Sequence, residues 1–195
     1  MATLSIQAIA SILAPYYLDP TPLLLDQLSL YLDLLLKWNA RTNLSAIRAP
    51  EEIVRRHFGE SLFAARHLPA GKNLLDLGSG AGFPGLPIAL AVPALSVTLA
   101  ESQNKKASFL REAIRTLGIP VEVWADRVEK LAANRLFDVV TLRAVDNPTL
   151  ALALARERLT PAGTILHLTS ATSSDGTGQI LPIPGTDAGV LQLIS

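Results

Sequence analysis

Asn73-Leu74-Leu75-Asp76-Leu77-Gly78-Ser79-Gly80-Ala81-Gly82-Phe83 is the stretch that decides the fold of this chain. An apolar run carrying one acid passes into three alternating glycines, and an apolar helix-forming stretch follows from Gly85. Glycine permits positive φ and close backbone approach to a ligand, and a helix N-terminus offers free N–H groups. Strand, glycine-rich turn and helix together make a surface for a nucleotide-like ligand. Glu101 stands 23 residues after Gly78, at the predicted end of the following strand. A carboxylate there can accept from both hydroxyls of a ribose, because it is an acceptor-only group facing two donors.

Downstream of the turn, apolar runs alternate with amphipathic segments, the pattern of βαβ units in a mostly parallel sheet. Strands are predicted near 73–77, 95–100, 121–125, 137–142 and 163–168, and helices near 85–92, 104–117, 127–133 and 147–159. Gly118 and Pro120 close the second of these helices. After a polar loop at 170–178, two apolar runs at 180–183 and 189–194 flank Pro184-Gly185 and predict an antiparallel hairpin at the sheet edge. The expected class is therefore α/β: a mostly parallel, seven-stranded sheet flanked by helices.

Upstream, residues 1–70 read as a helical N-terminal extension to a ligand-binding domain at 71–195. Thr21 is a plausible N-cap with Pro22 at the first helical position, and Leu24, Leu25, Leu28, Leu32, Leu35 and Leu36 follow at helical spacing. Residues 39–49 read as a loop. Pro50 opens a further helix, with Glu51 and Glu52 in its first turn and Ile53, His57, Ser61 and Ala64 on one face. His57 on such a face reads first as a hydrogen-bonded structural histidine. Trp38 and Trp124 likewise read as packing aromatics before base-stacking platforms.

Composition narrows the function classes. With 49% hydrophobic and 17% charged residues the chain can bury a sizeable core, so global disorder is excluded. Without cysteine it can form neither disulfides nor thiolate metal sites. His67 and His167 show no ligand spacing, so no metal is expected. The formal net charge is zero, which rules out a whole-molecule electrostatic case for nucleic acid. Residues 37–72 nevertheless hold seven basic side chains (Lys37, Arg41, Arg48, Arg55, Arg56, Arg66 and Lys72) against three acids. A solvated helical face and a phosphate-facing surface both fit that surplus. No basic leader precedes the first apolar run, which Pro15, Asp19, Pro20 and Pro22 interrupt, and no stretch approaches the roughly 20 apolar residues of a membrane span. The expectation is a cytoplasmic protein, off the membrane, with no obligate protein partner.

Two cofactors compete for the turn. Gly80-Ala81-Gly82-Phe83-Pro84-Gly85 formally satisfies the dinucleotide pattern G-x-G-x-x-G. In that pattern the first glycine closes the strand, and here that glycine is Gly78. Read from Gly78, the sixth position is Phe83, too bulky for the close helix–strand packing a third glycine serves. Pro84 and Pro87 also delay the helix. A wide Gly-Ser-Gly-Ala-Gly loop preceded by Asp76 suits S-adenosyl-L-methionine better than NAD.

Further motifs accompany the turn. Trp38-Asn39 with Asn43-Leu44-Ser45-Ala46-Ile47, His57-Phe58-x-x-Ser61-Leu62, the run from Gly78 to Ile88, Glu101-Ser102, Lys105-Lys106, Phe109-Leu110, Arg127-Val128-Glu129 and Arg143-Ala144 together resemble the RsmG (GidB) family. The resemblance runs from about residue 25 to 168. It implies a Rossmann-like class I methyltransferase that uses S-adenosyl-L-methionine to methylate N7 of a guanine, position 527 in the 530 loop of 16S ribosomal RNA. It places Gly78, Ser79, Gly80, Gly82 and Phe83 around the methionine and adenosine moieties, Glu101 at the ribose and Val128-Glu129 at the adenine. Arg143 would stand beside the cofactor at the cleft mouth. Thr169-Ser170 stands where such strands usually carry Lys-Gly. The implied partner is 16S RNA or the small ribosomal subunit.

The chemistry is compatible with these residues. Methyl transfer is an in-line displacement that chiefly needs alignment, and guanine N7 carries an in-plane lone pair and no proton, so no general base is required. A bidentate Arg contact to O6 and N7 would block the nucleophile, so Arg143 and Arg127 are expected to orient the substrate through O6 or a phosphate. A single-stranded loop offers a splayed base without the work of flipping a paired one. An NAD-dependent oxidoreductase and a non-catalytic RNA-binding module on the same fold are the alternatives.

Overall fold

The computed structural model describes residues 2–145, 147–174 and 176–195. Asp175 of the predicted polar loop lies outside the described residues. Helix α1 (Ile6–Leu13) starts where the Ser5 side chain accepts from Ala8 N–H. Helix α2 (Pro22–Asn39) starts in the same way, with Thr21 accepting from Leu24 N–H at 3.2 Å and Pro22 in its first turn. Pro50–Glu52 forms a single helical turn, α3, and Glu60–Arg66 forms α4. Between them Ile53–Gly59 is π-helical, which the i/i+4 spacing of the apolar residues does not foretell.

The sheet has seven strands: β1 (Asn73–Leu77), β2 (Ser96–Ala100), β3 (Glu122–Trp124), β4 (Phe137–Arg143), β5 (Leu159–Ser170), β6 (Gln179–Pro182) and β7 (Gly189–Ile194). Their order is β3-β2-β1-β4-β5-β7-β6. The first five run parallel, and β7 is antiparallel to both β5 and β6. The sheet is therefore mixed, with the expected hairpin at its edge. Helices α5 (Gly85–Ala91), α6 (Asn104–Leu117) and α7 (Pro148–Glu157) connect the parallel strands. Gly118, at φ 66°, ends α6 in the left-handed conformation.

Two expectations need correction. The helix predicted near 127–133 is only a 3-10 turn at Val128–Lys130, because its apolar residues Val128 and Leu131 drop into the core three positions apart and the chain leaves in extended form at Leu131. Strand β5 begins at Leu159, earlier than predicted. Its register against β4 shifts between Phe137 and Val139, so the stretch holding Pro161 and Gly163 bulges without ending the strand.

One apolar cluster joins α1, α2 and the 53–65 helical segment to Leu74, Leu99, Leu166 and the inner faces of α5 and α6. Tyr31 is its aromatic centre, stacked on Phe58 at 5.3 Å, Phe83 at 5.4 Å and Phe109 at 6.3 Å. Trp38 packs edge-on against Phe109. The N-terminal helices are thus pressed onto the same core as the sheet, and this brings residues 44–60 to the carboxyl ends of β1, β4 and β5, where open α/β sheets bind ligands.

Candidate active site

A cleft of about 940 Å³ opens at those strand ends. Its floor is the glycine-rich turn. One wall is the segment 44–60, and the opposite end is formed by Thr169, Ser170 and the turn at 185–189.

The turn is shaped from below. Asp76, 1% exposed, accepts from Thr141 Oγ1–H at 2.7 Å and from Gly85 N–H at 3.2 Å. Burial pushes its carboxyl up to about 6, against the pull of those hydrogen bonds. Gly78 N–H and Ser79 N–H both donate to Ala100 O, and Gly82 N–H and Phe83 N–H both donate to Ser79 O. The expectation of free helix N-terminal amides at this turn is thus corrected: Gly85 N–H is taken by Asp76, and most other turn amides close onto the protein itself. What the turn offers instead is space. Gly78 has φ 73°, and nothing lies within 4 Å of the place a Cβ would take. Gly82, at φ 93°, is a packing glycine, since a Cβ there would stand 2.6 Å from both Leu86 Cδ1 and Tyr31 Oη. Ser79 is 2% exposed and donates its hydroxyl to Asp76 O.

Glu101, 5% exposed, lies beside the turn, where Oε2 accepts from Gly80 N–H at 2.9 Å and Oε1 from Gln103 N–H at 2.7 Å. A carboxylate has about four lone-pair sites, so two remain for a ribose diol. Open space over Gly78 beside a carboxylate with acceptor capacity to spare fits an adenosyl cofactor. Val128, 6% exposed, sits in the second apolar cluster with Ala100 and Leu142. Arg127 and Glu129 are exposed. Arg127, Val128 and Glu129 flank the sheet beyond β3 and are not among the residues lining this cleft. The Arg127 carbonyl accepts from Trp124 Nε1–H at 3.0 Å, a packing role for that tryptophan.

The helical wall is made of side chains far apart in sequence. Asn39, buried at the end of α2, holds the loop after it: Oδ1 accepts from Leu44 and Ser45 N–H at 2.9 and 3.1 Å, and Nδ2 donates to Ser45 O at 3.0 Å and Ile47 O at 3.3 Å. This explains why Trp38-Asn39 and Asn43 to Ile47 belong together. His57, carried by the π-helical turn, stacks on Phe83 at 4.5 Å and 20°. Its Nε2 is 2.7 Å from Ser45 Oγ and its Nδ1 is 2.9 Å from Arg143 Nη1. Burial, then the charges of Arg143 and Arg56, pull the imidazole down to about 3, so it is neutral. Arg143 ends β4, and the chain turns at once through Ala144, which has φ 49°. Its Nη2 donates to Glu60 Oε2 at 2.9 Å and to Arg56 O at 3.1 Å, with the two ion-paired side chains 12% and 8% exposed. Arg56 also meets Glu60, and Arg55 meets Glu52.

Of the residues singled out in the sequence, Gly78, Ser79, Gly80, Phe83 and Arg143 line one cleft, with Glu101 directly behind Gly80. Gly82 supports the turn from inside. Sequence reasoning missed Ser45, Glu60 and the π-helical turn. Charge and spacing carried no signal for Glu60, which looks like any helix-surface acid.

The sequence pattern of the GidB family, described as rRNA small subunit methyltransferase G, matches residues 24–179. The chain belongs to the GidB family. Two relatives bear the name ribosomal RNA small subunit methyltransferase G. The chain is 41% identical to the Chromobacterium violaceum protein over 152 residues, 77% of this chain and 73% of that one. It is 44% identical to the Xylella fastidiosa protein over 142 residues, 72% of this chain and 66% of that one. The ribosomal protein L11 methylase of Lactobacillus delbrueckii subsp. bulgaricus aligns with a TM-score of 0.57 at 12% identity, over 71% of this chain and 78% of that one, and shares the fold. The GidB chain is thus a Rossmann-like α/β protein of the methyltransferase type. No helix among its described residues is long and apolar enough to cross a membrane.

Proposed function

We propose that this cleft transfers a methyl group from S-adenosyl-L-methionine to N7 of the guanine at position 527 of 16S ribosomal RNA. The observation that carries the reading is the state of the ionisable groups on the helical wall. His57 is neutral and engaged at both ring nitrogens, Glu60 is paired with Arg143 and Arg56, and Glu52 is paired with Arg55. A wall so occupied suits an acceptor that brings its own lone pair and has no proton to lose. Relatives named as small-subunit rRNA methyltransferases support the choice of RNA.

The cofactor, when bound, supplies an electrophilic methyl group. Glu101 accepts from its ribose hydroxyls, and the bare backbone of Gly78 and Gly80 admits it to the cleft floor. Phe83, clamped between Tyr31 and His57, fixes the apolar boundary. Arg143, with three of its contacts already made to the helical wall, holds that wall at a set distance from the turn. Val128-Glu129, which follows β3 outside the residues lining the cleft, supports the adenine side from behind, and the exposed Arg127 approaches the RNA there. Arg55, Arg56 and Lys106, which line the cleft, together with Lys37, Arg41 and Lys105 serve the phosphates, which gives salt-dependent binding. The helical segment up to residue 70 is the substrate side of the enzyme, and the protein works in the cytoplasm on the small subunit or its RNA.

The test is incubation with labelled S-adenosyl-L-methionine and unmethylated naked 16S RNA, small subunits or assembled ribosomes, followed by mapping of the label. Label at guanine N7 is the expected result. RNA binding with no transfer to any of the three would leave only a binding module.

A further inference from the structure

Ser45 was not among the expected site residues, yet it lines the cleft, and the hydrogen of its hydroxyl can be assigned from its neighbours. A guanidinium has donors only, so Arg143 Nη1 donates across the 2.9 Å to His57 Nδ1, and that nitrogen carries no hydrogen. A neutral imidazole then holds its single hydrogen on Nε2, which lies 2.7 Å from Ser45 Oγ and donates to it. Ile47 N–H donates to the same oxygen at 3.1 Å. Both lone pairs of Oγ are filled. Its own hydrogen meets no acceptor among the described residues. The direction cannot reverse while Arg143 is in place, because an Nδ1–H tautomer would set donor against donor. The Glu60–Arg143 pair keeps it there.

We propose that the Ser45 hydroxyl donates a hydrogen bond to O6 of the target purine and so sets the preference for guanine. This rests on the methyl-transfer reading above. At the edge of guanine that carries N7, the acceptors are N7 and O6, and N7 must stay open to the methyl group. Adenine presents an amino donor where guanine has O6, so a hydroxyl obliged to donate meets another donor and is left unsatisfied. His57 and Arg143 act through Ser45 as positioning residues, and Asn39 fixes the loop that carries it.

The test is methyl transfer to small subunits reconstituted with guanine, inosine or 2-aminopurine at the target position. Inosine keeps O6 and N7, whereas 2-aminopurine keeps N7 and lacks O6. The wild type should methylate guanine and inosine at similar rates and 2-aminopurine about tenfold more slowly, the worth of one such hydrogen bond. Ser45→Ala should lose about tenfold on guanine and inosine and nothing further on 2-aminopurine. Ser45→Thr, which keeps the hydroxyl, should restore guanine, and S-adenosylhomocysteine affinity should be the same in all three proteins. An equal loss by Ser45→Ala on all three bases, or a matching loss of S-adenosylhomocysteine affinity, would overturn the assignment. So would a wild type indifferent to O6, a result that needs no variant to fold. A wild type that methylates none of the three would instead remove the methyl-transfer reading, and this proposal with it.

Discussion

The floor and the helical wall of the cleft are built in different ways. The floor is backbone: Gly78 to Phe83 is a tight series of turns in which the amides of Gly78, Ser79, Gly82 and Phe83 bond to carbonyls a few residues away or on the adjoining strand and that of Gly80 bonds to Glu101, all seated on the buried Asp76. The wall is side chain: Ser45, His57, Glu60 and Arg143 come from a loop, a π-helical turn, a helix and a strand end, with His57 and Arg143 86 positions apart in sequence. Backbone space defines where a ligand fits, and a directed hydrogen-bond chain defines which atom it must present. A floor of the first kind suits a cofactor shared by many enzymes, and a wall of the second kind suits a particular acceptor.

The largest effect should come from breaking the floor from within. Gly82→Val sets a branched side chain against Leu86 and Tyr31 at positive φ, and the loss of stability in urea titration should be about 4 kcal/mol, a large share of the roughly 5–15 kcal/mol that holds a domain folded. Gly78 sharpens the contrast, because a Cβ there meets only open space. Gly78→Ala should cost only about 1 kcal/mol of stability while lowering S-adenosylhomocysteine affinity by more than that amount.

Next comes the wall. Arg143→Ala removes the anchor of His57 and leaves Glu60 with Arg56 alone, and should cut methyl transfer about a hundredfold through misplacement while overall RNA affinity changes little. Equal losses in rate and affinity would make Arg143 an ordinary phosphate contact. Asn39→Ala should cost about 2 kcal/mol by thermal denaturation, since two loop amides and two carbonyls lose their partner.

A further effect is one of slope. His57 is held neutral with a folded pKa of about 3, below the 6.5 of the unfolded chain, so the unfolded state binds the extra proton. The stability this neutrality gives is complete above about pH 6.5 and is lost as pH falls toward 3, by about 1.4 kcal/mol per pH unit from this one group. His57→Gln should flatten that part of the stability–pH curve, as read by urea titration from pH 7 to 4. An unchanged slope would mean that His57 titrates as an exposed histidine does.

How much could be read in the sequence follows the same division. The glycine turn was legible because φ, turn chemistry and strand–helix alternation are local properties, and α6 appears at residues 104–117 as its spacing and Gly118 require. Glu101 was legible because a fixed distance along a βαβ unit carries a strand end back to the turn. The extra residue per turn at Ile53–Gly59 was not, since it is set by packing of His57 on Phe83 and of Phe58 on Tyr31. Nor was Ser45, whose role depends on which nitrogen of a distant histidine carries a hydrogen. The helix expected around Val128-Glu129 shrank to one turn for a similar reason, because tertiary burial of Val128 and Leu131 outweighed helical propensity.

The division of labour between floor and wall is tested most directly by calorimetric titration of S-adenosylhomocysteine into the wild type, Glu101→Gln and Arg143→Ala, with NAD as the control ligand. The prediction is binding of S-adenosylhomocysteine and no heat from NAD, a loss of about tenfold or more in Glu101→Gln, and at most about a threefold change in Arg143→Ala. Equal losses in the two variants, or binding of NAD alone, would contradict it.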